Sequence, residues 1–304
     1  MEETQKNYWS GAGMVLLAAF LFALKGTLIK MAYQFGADTI SILALRMLSA
    51  MPFYIAVLWW ENHKTGQSIK NISGKTWLQI LGLGFIGYYL SAYLNFYGLH
   101  FITASLERVV LFIYPTFVLF LNQIFFKKKI SKLQLLALGI TYAGILIAYF
   151  NNIGQAAQLN LPLGVGLVVL SGLTYAFYMV GSDRLIAGLG VWVFTSLSML
   201  AATVMMLIHA YFQNGLAINH LRSEVYWIGI GMGIFSTVIP TFLYSAGIII
   251  IGSSNTSIVG SIGPIFTIIL ASVFLGETIS SIQIMGTLLV LIGVFLIGFK
   301  GKNN

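Results

Sequence analysis

The chain has 304 residues, of which 58% are apolar and 8% charged, against about 45–50% and about 25% in ordinary soluble domains. Eight acidic and sixteen basic residues cannot clothe a surface of this size in polar groups, so most of it must face lipid, which excludes an ordinary soluble enzyme. The absence of cysteine removes disulfide, thiol-nucleophile and zinc–thiolate chemistry. A net charge of +8 would suggest nucleic acid in a soluble protein, so the bases must be placed before they are interpreted.

Apolar stretches near the roughly 20 residues needed to cross a bilayer run from Ser10 to Tyr33, Thr39 to Trp60, Trp77 to Leu99, Ala104 to Phe126 and Leu133 to Phe150. Five more run from Leu163 to Gly181, Val191 to Phe212, Val225 to Ile248, Ser254 to Leu275 and Ile282 to Phe299. The shortest joints fall at His100 to Thr103 and Ile250 to Ser253. Met1-Glu2-Glu3 lacks the basic start of a cleavable leader, so the first run is kept as a span. Ten spans put both termini on one side. With that side cytoplasmic, the inner segments hold Lys6, Lys64, Lys70, Lys75, Lys127, Lys128, Lys129, Lys132, Arg184, Lys300 and Lys302, and the outer loops only Arg222, as the positive-inside rule demands. All six tryptophans lie at span ends, where an amphipathic ring suits the headgroup layer. The basic excess is therefore topological, and nucleic acid is not an expected partner.

Shifting the chain against itself by 149 positions aligns Trp77 to Phe150 with Tyr226 to Phe299 without a gap, with 17 identities in 74 positions, where chance gives about 6. Among them are Gly82/Gly231, Gly98/Gly247, Ser105/Ser254, Pro115/Pro264, Gln134/Gln283 and Gly144/Gly293. A shift of 153 pairs Gly11/Gly164 and Ala23/Ala176 in the first span of each half. Five spans per half is an odd number, so the second half enters the membrane from the opposite face. The expected fold is all-α and membrane-integral: ten transmembrane helices in two inverted five-helix repeats, residues 9–150 and 162–299. Inverted repeats are a secondary-transporter signature, because two pseudo-equivalent halves can exchange conformations about a central site.

Ala104-Ser105 through Tyr114-Pro115-Thr116-Phe117, and Gly263-Pro264-Ile265-Phe266 through Leu275-Gly276-Glu277-Thr278-Ile279-Ser280, resemble the proline-centred helix and Leu-Gly-Glu turn of EamA-type repeats in the drug/metabolite transporter superfamily. The resemblance spans about Gly11 to Phe299. The first repeat departs from it, with Phe126-Lys127-Lys128 where the second has Leu275-Gly276-Glu277. The resemblance implies small-molecule transport, a cavity lined by spans one to four and six to nine, and peripheral spans five and ten. It leaves the substrate open among amino acids, other metabolites, nucleotide-sugars and drugs.

Lys25, Lys30, Arg46, Glu107 and Arg108 are the charges within spans. Counting about 1.5 Å per residue from the outer ends puts Lys25 about 13 Å deep, Arg46 about 10 Å, and Glu107 and Arg108 about 8 Å. Charges at one depth in hydrocarbon face a bundle interior or a wet cavity, whereas Lys30, nearer the edge, is expected to snorkel. Two readings stay open. Glu107 pairs structurally with Arg46 or Lys25, or the group lines a substrate pocket whose positive excess attracts a carboxylate. Proton coupling through Glu107 stays open too, though the neighbouring bases favour its ionised form. Their inverted mates, Thr256 and Ser257, are uncharged. On span three Tyr89, Tyr93 and Tyr97 share one helix face and are either an aromatic stripe or pocket hydroxyls, with Tyr88 and Asn95 beside them; Tyr175 and Tyr178 on span six face them from the second half. Pro115 and Pro264 are pseudo-equivalent mid-span prolines, each a kink that serves as a hinge or only as packing. Gly82-Leu83-Gly84-Phe85-Ile86-Gly87 matches a dinucleotide fingerprint by letters but follows no strand, so close helix packing is expected. No cofactor, metal or catalytic grouping is read from the sequence. The expected function is transport of a small polar metabolite, an amino acid or another carboxylate foremost, by a monomer or homodimer in the cell membrane. The alternatives are a lipid or lipid-linked flippase of related fold, and a channel or scaffold.

Overall fold

The computed structural model describes residues 2–65, 72–127, 129–153, 160–214, 220–260 and 262–299, and among them the regular structure is entirely helical. Lys70, Lys128, Lys300 and Lys302, counted above among the topological bases, lie outside the described residues. In the first half α1 (Glu2–Gln34) and α2 (Thr39–Thr65) are spans one and two. Span three is α3 (Gly74–Gly84), a π-helical segment (Phe85–Leu90) and α4 (Ser91–Gly98). Span four is α5 (Ala104–Leu111) and α6 (Tyr114–Phe126), and span five is α7 (Lys132–Asn151). In the second half α8 (Leu161–Leu189) and α9 (Val191–Asn214) are spans six and seven. Span eight is α10 (Ser223–Gly233), a second π-helical segment (Ile234–Val238) and α11 (Ile239–Gly260), followed by α12 (Gly263–Leu275) and α13 (Ser281–Phe299). Eight of the ten spans are long and apolar enough to cross a membrane; those ending the chain, Gly263–Leu275 and Ser281–Leu296, are shorter.

Glycine contacts show how the halves are related. A Cβ on Gly98 would stand 3.1 Å from the Gly164 carbonyl, and one on Gly164 2.6 Å from Ile102. Their equivalents repeat the pattern, Gly247 facing the Gly11 carbonyl at 3.6 Å and Gly11 facing Ile251 at 2.7 Å. Span six therefore packs on span three as span one packs on span eight, with small residues admitting the close approach. Likewise Gly233 backs onto the Arg46 carbonyl at 2.7 Å and Gly84 onto that of Ser198 at 2.6 Å, which makes residues 46 and 198 equivalent. Finally Gly144 faces the Gly286 carbonyl at 2.5 Å, while Gly293 faces Ala137 O at 2.7 Å. Spans five and ten are thus sequence equivalents that meet antiparallel across a pseudo-twofold axis, as inverted repeats must. The two π segments are equivalent under the same 149-residue shift.

Two expectations change. The joint at Ile250 to Ser253 is absent: α11 runs helically to Gly260, and the chain breaks before α12. In the first half Thr103 starts α5 as its N-cap, accepting from the Leu106 N–H at 3.2 Å. Its equivalent is Gly252, which has no side-chain oxygen to accept that bond. The paired prolines also do not kink continuous helices. Pro115 and Pro264 sit in the first turns of α6 and α12, after breaks in the chain, where a missing N–H costs nothing. Pro52 lies inside α2 and Pro240 inside the unbroken helical run of span eight. Each of α6 and α12 ends on a left-handed residue, Lys127 (φ 53°) and Gly276 (φ 66°). Lys127 thus keeps the backbone geometry of Gly276, its repeat mate.

Candidate functional site

The intramembrane charges converge. Phe96, fully buried, lies between two of them, with the Lys25 ammonium 6.0 Å and the Arg46 guanidinium 5.4 Å from its ring centre, near the cation–π limit of about 6 Å. The next residue back, Asn95, donates through Nδ2 to Glu107 Oε1 at 2.5 Å. The charges that act on Lys25 are Glu107, Arg108 and Arg46. Arg108 Nη2 donates to the Phe22 carbonyl on span one at 3.3 Å. Three cations and one anion therefore share a chamber between spans one to four. No ion pair forms among these four: the one salt bridge among the described residues is Arg222–Glu224, exposed, at 3.5 Å. The structural pairing of Glu107 with Arg46 or Lys25 is thus replaced by an amide–carboxylate hydrogen bond.

Local structure explains the placement. Glu107 falls in the first turn of α5 and Arg108 near its last, each on the helix end that its charge suits. Arg46 is 8% exposed, and its Nε donates to Thr237 Oγ1 at 2.8 Å. Thr237 belongs to the π segment of span eight and itself donates to Met232 O, five residues back. The wide π turn thus presents a hydroxyl to the arginine, as π-bulges often do at functional sites. Arg46 Nη1, Glu107 Oε2, Asn95 Oδ1 and Arg108 Nε are buried without a hydrogen-bond partner. Leaving such atoms unpaired in a dry core costs roughly 1–3 kcal/mol each, which a polar ligand would recover.

Aromatic hydroxyls from both halves enclose the group. Tyr178 donates to Tyr88 OH at 3.0 Å, and Tyr175 stacks on Tyr178 at 5.9 Å and meets Tyr114 edge-on at 5.5 Å. Tyr54 and Tyr88 act electrostatically on Arg46. Lys25, Tyr88, Tyr114 and Tyr175 are each only partly buried. Ser91 and Ser171 stitch its wall with reciprocal bonds, Ser91 Oγ to Ser171 O at 3.1 Å and Ser171 Oγ to Ser91 O at 2.8 Å.

Of the residues expected from sequence, Lys25, Arg46, Glu107, Arg108, Tyr175 and Tyr178 come together. Tyr89 and Tyr93 do not join them. Tyr89 OH bonds His209 Nδ1 at 2.6 Å and Tyr93 meets the same ring edge-on at 5.2 Å, on the flank of span three that faces span seven. Lys30 does not snorkel: its Nζ donates to Leu99 O at 2.9 Å and Ile102 O at 2.8 Å, tying span one to the turn between spans three and four. Gly84 and Gly87 of the glycine-rich stretch press on Ser198 and Tyr178, so close packing accounts for them. Thr237, the repeat mate of Tyr88, is expected from sequence as part of the uncharged second-half contribution; Phe96, Tyr54, Tyr114 and Glu277 are not singled out there as site residues.

A cavity of about 390 Å³ opens beside the chamber, lined by Phe53, Val57, Trp60, Glu61, Trp192 and Phe242. It lies on the face where α2 ends and α9 begins, the face of the chain termini. Tyr54, fully buried, separates the two, its ring 6.1 Å from that of Phe242. On the far face, by contrast, the turn between spans three and four is tied down. Tyr33 donates to Phe96 O at 2.7 Å, and the Glu277 carboxylate accepts from Ala104 N at 2.8 Å, Ser105 N at 3.2 Å and Ser105 Oγ at 2.6 Å.

A buried polar group held between two inverted helical repeats defines a multi-pass membrane transporter. The model of the EamA-like transporter family matches the chain twice, over residues 9–150 and 162–299, and the chain belongs to that family. It is 29% identical to the uncharacterized transporter YcbK of Bacillus subtilis, over 94% of this chain and 92% of that one. With the uncharacterized transporter sll1319 of Synechocystis it shares 26% identity over 97% and 96%. A solved crystal structure superimposes with a TM-score of 0.65 at 14% identity, covering 94% of this chain and 96% of that one, a likeness of fold alone. The protein is a membrane transporter and not an enzyme.

Proposed function

We propose that the protein carries a small polar metabolite bearing a carboxylate, an amino acid foremost, by alternating access through the chamber. One observation supports this most: three cations share the chamber with a single anion and no ion pair, and Arg46 Nη1 is buried without a partner. A carboxylate would supply the missing acceptor and balance the charge. In this reading Lys25, Arg46 and Arg108 take the carboxylate, and Glu107 with Asn95 takes an amino group. Tyr175 and Tyr178 line the far wall, and Tyr89 and Tyr93 act with His209 as a gate. The breaks before Pro115 and Pro264 are the hinges of the repeats 9–150 and 162–299. The termini face the cytoplasm, in keeping with the basic segments on that side. Proton coupling would use Glu107 once the cations move away.

Purified protein in liposomes is expected to show saturable uptake and counterflow of a carboxylate found by screening a metabolite library, which a channel or scaffold does not give. Arg46→Ala is expected to reduce uptake at least about tenfold, the loss of one buried charge-assisted bond, with normal membrane insertion. Unchanged uptake in that variant, or a set of ligands purely neutral or cationic, refutes the reading.

A further inference from the structure

Besides the ties within the chamber wall, the described residues hold a dense set of polar ties on the far face, and the repeat shows what stands in their place on the other. On the far face Lys30, Tyr33 and Glu277 grip one short stretch, Phe96 to Ser105, through two carbonyls, a third carbonyl, and two N–H groups with a hydroxyl. Shifts of 153 and 149 positions carry these three residues onto Asp183, Ile186 and Lys128 in the sequence. None of those can do the same work. An ionised aspartate cannot donate to carbonyls, isoleucine has no hydroxyl, and a lysine cannot accept from N–H groups. Asp183 is exposed. The Tyr89–His209 tie has the same asymmetry, its equivalents being Val238 and Val57, and Val57 lines the open cavity of the terminal face.

We propose that Lys30, Tyr33 and Glu277 form a clasp that keeps the chamber shut on the far face, and that opening to that side requires the clasp to release. Because the equivalent positions carry side chains that cannot make these bonds, the resting protein favours the state open toward its termini. Glu277 acts through Ser105 and the first turn of α5, which carries Glu107 and Arg108, so it is a positioning residue for the site and does not itself touch substrate. The proposal rests on the carrier reading, and it adds which state predominates and which side chains decide it.

The natural absence of cysteine makes the test direct. Tyr114→Cys places one thiol in the chamber wall, and a membrane-impermeant maleimide is offered to liposomes from one face at a time. In the otherwise unaltered protein, labelling from the terminal face is expected to be the faster. Glu277→Gln, and independently Lys30→Met, are expected to speed labelling from the far face about tenfold and slow it from the terminal face, as loss of charge-assisted bonds in one state only would do. Equal changes from both faces, the sign of a merely loosened fold, overturn the clasp, as do rates indifferent to residues 30 and 277. A thiol that reacts from one face only under every condition, substrate-loaded protein included, overturns the carrier reading instead.

Discussion

Asn95 and Glu107 lie twelve residues apart on two spans, and their contact is what keeps a carboxylate in this chamber without an ion pair. The amide neutralises nothing, so the anion still balances part of the surrounding positive charge while one of its oxygens stays open. The sequence gives the depth of both residues but not which oxygen is satisfied, because that depends on how the turn between spans three and four folds back. His100 in that turn is the titratable group most exposed to a test. Its ring stacks on Tyr33 at 3.7 Å and its Nε2 meets Thr39 Oγ1 at 3.0 Å. Burial, helped by nearby Lys30 and opposed by Asp38, holds its pKa below the ordinary 6.5. Between that lowered value and 6.5 the unfolded chain binds more protons than the folded one. Stability is therefore complete above 6.5 and lost as pH falls through the window. Thermal unfolding in detergent between about pH 7 and about pH 5 is expected to show this decline, and His100→Gln to flatten it.

At the level of elements, periodicity and repeat matching located all ten spans, since a run of about 20 apolar residues carries its own signal. They could not locate the end of α11. Whether a helix stops near residue 252 turns on one capping oxygen, present in Thr103 and absent from Gly252, and a hydropathy pattern is blind to that. The π segments were equally hidden, because a single wide turn leaves the apolar pattern almost unchanged. The ends of α6 and α12 offer a clean comparison. Lys127 holds at φ 53° the left-handed conformation that Gly276 holds at 66°, and a side chain there costs about 1 kcal/mol. Lys127→Gly is expected to raise the unfolding temperature in detergent, and Gly276→Lys to lower it by a similar amount.

Across the whole molecule, the charges that a composition table shows as scarce divide into topological bases, one far-face clasp and one central group. Their depth was legible from residue counting, and their partition was not, since the clasp is made largely with backbone carbonyls and N–H groups, which every sequence has. Spans five and ten hold the halves together at a seam with little side chain in it. A Cβ on Gly293 would stand 2.7 Å from Ala137 O and 2.8 Å from Thr141 N, whereas one on Gly139 meets nothing within 4 Å. Gly293→Val is expected to cost about 1–3 kcal/mol by overpacking, read as a lower unfolding temperature, with Gly139→Val as the tolerated control. The seam is also reciprocal: Gly144 against Gly286, and Gly293 against Ala137. A five-span chain able to enter the bilayer in either orientation would meet, in an upside-down copy of itself, much the same complementary surface. This chain carries as a covalent link between unlike halves what such a chain would reach by self-assembly, and the link lets the chamber's charges sit in one half only.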